Sequence, residues 1–259
     1  MNSDQLNKNE LKAFLDAKVE YYNTVAFLDS DPIQVPHSFE LKEDIEISAF
    51  LSATISWGNR KSIINNAFKM MHRMEFSPYD FVMNHTEQDL DNLKGFKHRT
   101  FNDIDLRQFV LSLKHIYNNH SGLEALFTKY AEPQSLQYAI HKMKQHFFEI
   151  PHAKRSRKHI SDPLKNSAAK RINMFLRWMV RSDNAGVDFG IWKSLSPSQL
   201  SCPLDVHTGK VARSLGLLER KQNDAKAVIE LDMALRAIDP DDPVKYDFAL
   251  FGLGVFEDF

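Results

Sequence analysis

At 259 residues, with 43% hydrophobic and 26% charged side chains and nine glycines, the chain can bury a substantial core and has the bias of neither a disordered tail nor a fibrous repeat. A formal net charge of −1 gives the molecule as a whole no pull on polyanions, so affinity for nucleic acid has to come from local patterning. The single cysteine, Cys202, excludes an intrachain disulfide, a four-thiolate iron–sulfur cluster and a multi-cysteine zinc site. The amino end carries no apolar signal region, and the longest apolar run, Phe248 to Phe256, is too short for a bilayer. A cytoplasmic protein with no membrane partner is therefore expected, nucleoid-associated if it binds DNA.

In chain order, Leu6 to Leu28 has helical periodicity through Leu11, Phe14, Leu15, Val19 and Tyr22. Pro32 and Pro36 break that pattern before a second helix from Glu43, and Trp57-Gly58-Asn59 reads as a turn. Helices follow from Lys61 to about Met74, from Ser77-Pro78, over Asp105 to Asn118 and over Leu123 to Tyr130, with Gly95 to Phe101 as a connection. Pro133 opens a further helix that runs to about Glu149, where Pro151 stops it. His152 to Lys165 is polar and basic, a loop between two helical halves.

A helix from Ser167 carries Ile172, Phe175, Leu176 and Met179 on its apolar face, with Lys170, Arg177 and Arg181 expected on the other. Asp188 to Leu200 reads as a short helix and turn, and Asp205 is placed to cap the next helix, which Gly216 ends. Helices over Asn223 to Ile238 and Pro243 to Gly252 close the chain. The fold class is all-α: one two-lobed helical domain over 1–259, with lobes at 40–150 and 160–218, a cleft between them, and 1–39 and 219–259 packed against them.

Charge is unevenly spread. Between His152 and Arg181 nine cations face Asp162 alone, whereas from Glu219 onward ten acids outnumber five cations. One face suits a polyanion and another repels it.

The run Leu204-Asp205-Val206-His207-Thr208-Gly209-Lys210 through Gly216 resembles the Val-Asp-Thr-His-Val segment of the helix-hairpin-helix DNA glycosylases, the endonuclease III superfamily. Glu46 to Ala53 is similar to that family's Leu-Leu-Ser-Ala helix, and Tyr246 to Gly252 to its final core helix. Pro163 to Lys170 stands where the family has a Leu-Pro-Gly-Val-Gly hairpin. Ala169-Lys170 matches the Ala-Lys that opens the corresponding helix in the archaeal 8-oxoguanine glycosylase branch, and the chain also resembles an uncharacterised, DUF2400-like bacterial branch.

The resemblance implies a helix-hairpin-helix-type fold and base excision from damaged duplex DNA by a monomer that needs no cofactor and no metal. On that reading Lys170, preferred over Lys165, is the amine nucleophile, activated by its neighbour Arg171 or by burial. Asp205 steadies the oxocarbenium charge or relays protons. Candidate phosphate contacts are Arg155, Arg157, Lys158, Arg171, Arg177, His207, Lys210 and Arg213. Because Thr54 stands where the family often has its stack-filling glutamine, the wedge is sought at Asn59 or Arg60. Trp57, Trp178 and Trp192 are candidate base platforms.

Each residue also has a plainer role: a helix cap for Asp205, a solvated amine for Lys170, core packing for the tryptophans, a structural hydrogen bond for His207. Three functions stay open: a glycosylase with lyase activity acting on an oxidised purine, a catalytically inactive DNA-binding relative, and a helical protein-interaction module.

Overall fold

The computed structural model describes residues 7–257 and 259. The chain is predominantly helical. Asn7 caps α1 (Lys8–Tyr22) through a capping box with Glu10, so the first helix is shorter than its periodicity suggests, and Leu6 lies outside the described residues. Three 3₁₀ turns then carry the chain through Val25–Ser30, Pro32–Gln34 and Pro36–Ser38. Next come α2 (Lys42–Thr54), α3 (Arg60–Arg73), α4 (Pro78–Asn84) and α5 (Glu87–Asp91).

The connection at 95–101 holds the strands found among the described residues, a short antiparallel pair β1 (Lys97–His98) and β2 (Phe101–Asn102) with His98 opposite Phe101. It leads into α6 (Asp103–His120), α7 (Gly122–Lys129) and α8 (Gln137–Phe147). The basic stretch after α8 is less open than a loop, being wound into 3₁₀ turns at Lys154–His159 and Pro163–Lys165.

The chain ends with α9 (Lys170–Val180), α10 (Val206–Ser214), α11 (Ala225–Ile238) and α12 (Tyr246–Phe256). Between α9 and α10 the predicted short helix is absent. Residues 182–196 are irregular and only Pro197–Gln199 forms a 3₁₀ turn. The backbone N–H of Phe189 and of Trp192 bond instead to the carbonyls of Trp178 and Met179, which ties the segment to the end of α9.

Two compact units divide the chain. One comprises the described residues of Met1–Phe27, Glu132–Gln137 and Asp162–Phe259, the other Leu28–Ala131 and Tyr138–Ser161. The second unit is built round an aromatic core in which Phe109 lies 4.8 Å from Phe147, 5.2 Å from Phe101 and 6.0 Å from Phe50. Each of these rings, wholly removed from water, contributes about 1.5–3 kcal/mol.

The first unit has its own core, formed by Leu15 and Val19 of α1 with Leu204, Val211, Leu231, Leu235, Ala249 and Leu253. Helix α12 packs along α1. Gly252 permits this, because a Cβ there would stand 2.3 Å from the Tyr22 ring. The carboxy-terminal helices are thus part of this core and not a covering layer on it.

Within that core Asp232 of α11 accepts the backbone N–H of Cys202 at 2.9 Å, and burial pushes its carboxyl up to about 6. A carboxyl whose folded value lies above its unfolded value of about 3.9 gives full stability at low pH and loses it as pH rises through about 6, by about 3 kcal/mol in all. In urea unfolding, Asp232→Asn is therefore expected to gain on the wild type steadily between about pH 4 and 6.5. Parallel pH curves for the two proteins would contradict this.

Candidate active site

The first unit brings together the two residues proposed for catalysis, Lys170 and Asp205. Lys170 is the opening residue of α9, and the turn before it is tightly wound. Asp162 accepts the N–H of Leu164 on its side chain and those of Lys165 and Ser167 on its carbonyl. Asn166 and Ala169 both take left-handed backbone, at φ +63° and +46°.

For an alanine that conformation costs roughly 1–2 kcal/mol. The surroundings hold it there: Ser167 Oγ accepts the Ala169 N–H at 3.2 Å, and the Ala169 carbonyl accepts the N–H groups of Ile172 and Asn173. The strained residue thus immediately precedes Lys170 and sets the direction in which that side chain leaves the backbone.

Asp205 arrives from a buried run, Ser201 to Leu204. Its Oδ1 accepts the Thr208 N–H at 3.0 Å as the cap of α10, and its carbonyl accepts the Asn223 amide at 2.8 Å. Gly209 leaves room for this arrangement, since a Cβ there would lie 2.7 Å from Asn223 Oδ1. The second carboxylate oxygen, Oδ2, stands 3.0 Å from Lys170 Nζ. The cap and the pairing therefore use different oxygens of one carboxylate.

Burial works to raise the Asp205 carboxyl, but the Lys170 ammonium and the Thr208 N–H outweigh it and hold the group below its ordinary value. Asp205 is thus a carboxylate throughout the neutral range. Both side chains keep a solvent-facing portion, 31% for Lys170 and 19% for Asp205, so the pair is reachable from outside.

Behind the pair lies a buried charge network. Arg177 Nε stands 3.2 Å from Asp188 Oδ1 and its Nη1 2.5 Å from Asp247 Oδ2, with the guanidinium 4.3 Å above the Phe248 ring. Arg181 reaches Asp188 at 3.1 Å and Asp242 at 3.0 Å, and also pairs with Asp183. Burial pushes the Asp247 carboxyl up to about 6, against the pull of Arg177, and the charges of Lys170 and Asp205 act on it as well.

This corrects the expectation that Arg177 and Arg181 project to solvent. α9 is enclosed from Ile172 to Val180, and both guanidinium groups turn inward to buried carboxylates. Arg177 is therefore no phosphate contact, and the basic segment presents less charge than its composition implies. Trp178 and Trp192 are likewise corrected from base platforms to core: they are 0% and 1% exposed, and the Trp192 ring meets Phe175 edge-on at 5.4 Å.

Arg171, next to Lys170, is half-buried, and burial presses its guanidinium down to about 10, which still leaves it a cation at neutral pH. His207 is exposed with Nδ1 3.1 Å from the Gly254 carbonyl, and Lys210 is exposed. Arg213 is taken up by the Arg220 carbonyl at 2.8 Å and Asn223 at 2.6 Å, which stiffens the support under Asp205.

The remaining predicted residues belong to the second unit. Arg155 is held by Asn102, the Thr100 carbonyl and buried Asp105, whereas Arg157 and Lys158 are exposed. Arg157 lies over the Phe148 ring. Trp57 is half-buried and stacked on His159 at 6.1 Å. Asn59 caps α3 by accepting the Ser62 N–H at 3.1 Å, and Arg60 opens that helix.

Three residues of the site escape the sequence reading. Asn223 braces Asp205, and Asp247 is the carboxylate behind it; a lone acid inside the apolar run Tyr246 to Gly252 was the available signal for Asp247. Val206, the residue after Asp205, is 76% exposed and offers an apolar surface beside the carboxylate.

Among the described residues no helix is long and apolar enough to cross a membrane. One family model, described as a protein of unknown function (DUF2400), matches residues 31–256. No curated protein and no solved structure matches the chain.

Proposed function

From the premise that the chain belongs to the DUF2400 family, whose description assigns no activity, we propose that it is a DNA glycosylase with associated lyase activity, acting on an oxidised purine such as 8-oxoguanine in damaged duplex DNA. The observation that carries this reading is the 3.0 Å approach of Lys170 Nζ to Asp205 Oδ2 at a partly open position. A nucleophilic amine beside a fixed carboxylate is what N-glycosidic bond cleavage through a Schiff base requires.

The target nucleotide leaves the base stack, since C1′ is out of reach inside a duplex. Lys170, having given up a proton, attacks C1′. The C1′–N bond breaks, and the base leaves with the bonding electrons and takes up a proton. The adduct loses one N–H proton, and as the C1′–O4′ bond opens O4′ takes up a proton, which leaves a protonated Schiff base, an iminium. Loss of a C2′ proton then expels the 3′-phosphate.

Asp205, kept ionised, faces the positive charge that develops on the sugar. Lys210 and Arg171 of the same unit supply cations for the backbone, and Val206 supplies an apolar contact for a base. No step calls on a metal, and the protein acts as a monomer.

The test is borohydride trapping on duplexes that carry 8-oxoguanine or an abasic site. The wild type is expected to give a covalent protein–DNA adduct, Lys170→Ala none, and Lys165→Ala an undiminished yield. Salt-sensitive DNA binding without any adduct would replace the enzyme by a binding protein of the same fold. Absence of DNA binding at low salt would remove both readings, because phosphate neutralisation dominates such affinity.

A further inference from the structure

We propose that His115, His120 and Glu149 form a binding site for a divalent transition cation of the zinc class, separate from the lysine–aspartate pair and lying wholly within the second unit. His115 and His120 come from the last turns of α6, and Glu149 from the turn that follows α8. One donor atom from each converges, all within 4.8 Å of one another. His115 Nε2 is 2.9 Å and His120 Nε2 3.4 Å from Glu149 Oε2. A tetrahedral zinc ion with bonds of about 2.0–2.1 Å sets its donors roughly 3.3 Å apart, so small side-chain rotations seat the ion.

The donor chemistry fits that cation class. Two imidazoles and a carboxylate suit zinc and its neighbours and are a poor set for calcium or magnesium, which take oxygen ligands. Two imidazoles now compete for one carboxylate oxygen, and the buried His120 Nε2 has no well-directed hydrogen bond. A cation at the centre satisfies all three donors together.

The supporting groups are also in place. His146 Nδ1 lies 2.6 Å from Glu149 Oε1, and the Tyr130 hydroxyl meets His146 Nε2 at 2.9 Å, so the oxygen not needed by the metal is already held. The Asn119 side-chain amide lies 3.1 Å from His115 Nδ1 and donates to the His115 carbonyl at 3.0 Å, which holds that ring in place. Glu149 is 45% exposed, which leaves a coordination position for water. The sequence hid this site because a separation of five residues does not keep two histidines on one helical face. Here the second is the last residue of α6, just before Ser121 turns the chain at φ +59°.

The full chain, stripped with a chelator and titrated with zinc chloride, is expected to bind one zinc per molecule and to melt at a higher temperature when loaded. Cobalt in place of zinc is expected to give visible absorption bands of nitrogen and oxygen ligation. His120→Ala and Glu149→Gln are each expected to weaken zinc binding at least about tenfold, whereas His85→Ala, in the same unit but outside the cluster, leaves it unchanged. Glu149→Gln alters a half-exposed carboxylate and keeps the fold. The proposal is overturned if the wild type binds no zinc, or if binding persists undiminished in both ligand variants.

Discussion

Arg177→Ala is expected to destabilise the protein by about 3–5 kcal/mol, read as a shift in the urea unfolding midpoint. The guanidinium is 4% exposed and is shared between Asp188 and Asp247. Its removal leaves Asp188 to Arg181 but strands Asp247 in an enclosed site next to Cys202, with no cation in direct contact. A buried carboxylate in that position has to take up a proton or draw in water, and either response costs free energy. The Phe248 ring also loses the cation lying 4.3 Å above it. A solvated surface arginine, as periodicity alone implies, would cost at most about 0.5 kcal/mol when replaced. The two accounts therefore differ by several-fold in one titration.

Asp205 separates into two roles by a pair of substitutions. Asparagine caps a helix about as well as aspartate, so Asp205→Asn is expected to keep the Thr208 hydrogen bond and to lose less than about 1 kcal/mol, the worth of a partly exposed ion pair. Asp205→Ala removes the cap as well and is expected to lose about 1–2 kcal/mol. Turnover behaves differently. Both variants lose the negative charge opposite the developing sugar cation, and both are expected to fall by about 10²–10³-fold in single-turnover cleavage of a lesion-bearing duplex. If the carboxylate were a cap alone, the asparagine variant would match the wild type in both measurements.

The helices were legible because their signals are local. Prolines at 78 and 151 and caps such as Asp205 mark boundaries that tertiary packing has no reason to move, whereas Pro133 does not open its helix, which starts at Gln137. Misreadings arose where a distant partner decides the outcome. Arg177 and Lys170 stand on the same helix seven residues apart, and nothing nearby in the chain tells that one meets Asp247 of α12 while the other meets Asp205. The stretch after α9 is irregular where the sequence suggests a short helix and turn over Asp188 to Leu200, because its stabilising bonds run to the carbonyls of Trp178 and Met179 and leave no periodic trace. Residue type alone suggests base platforms at Trp178 and Trp192, yet their size is what makes them core. Asp205 was the reverse case, its position in a motif and its position at a cap coinciding in one side chain.

The central claim is that the Lys170 amine is the group that bonds to C1′, and peptide mapping of the borohydride-trapped adduct tests it most directly. After nuclease and protease digestion, mass spectrometry is expected to find the reduced sugar remnant on the peptide that contains Lys170 and on no other. A remnant on Lys165, on the amino terminus or elsewhere would contradict the assignment, as would an adduct that forms at full yield in Lys170→Ala.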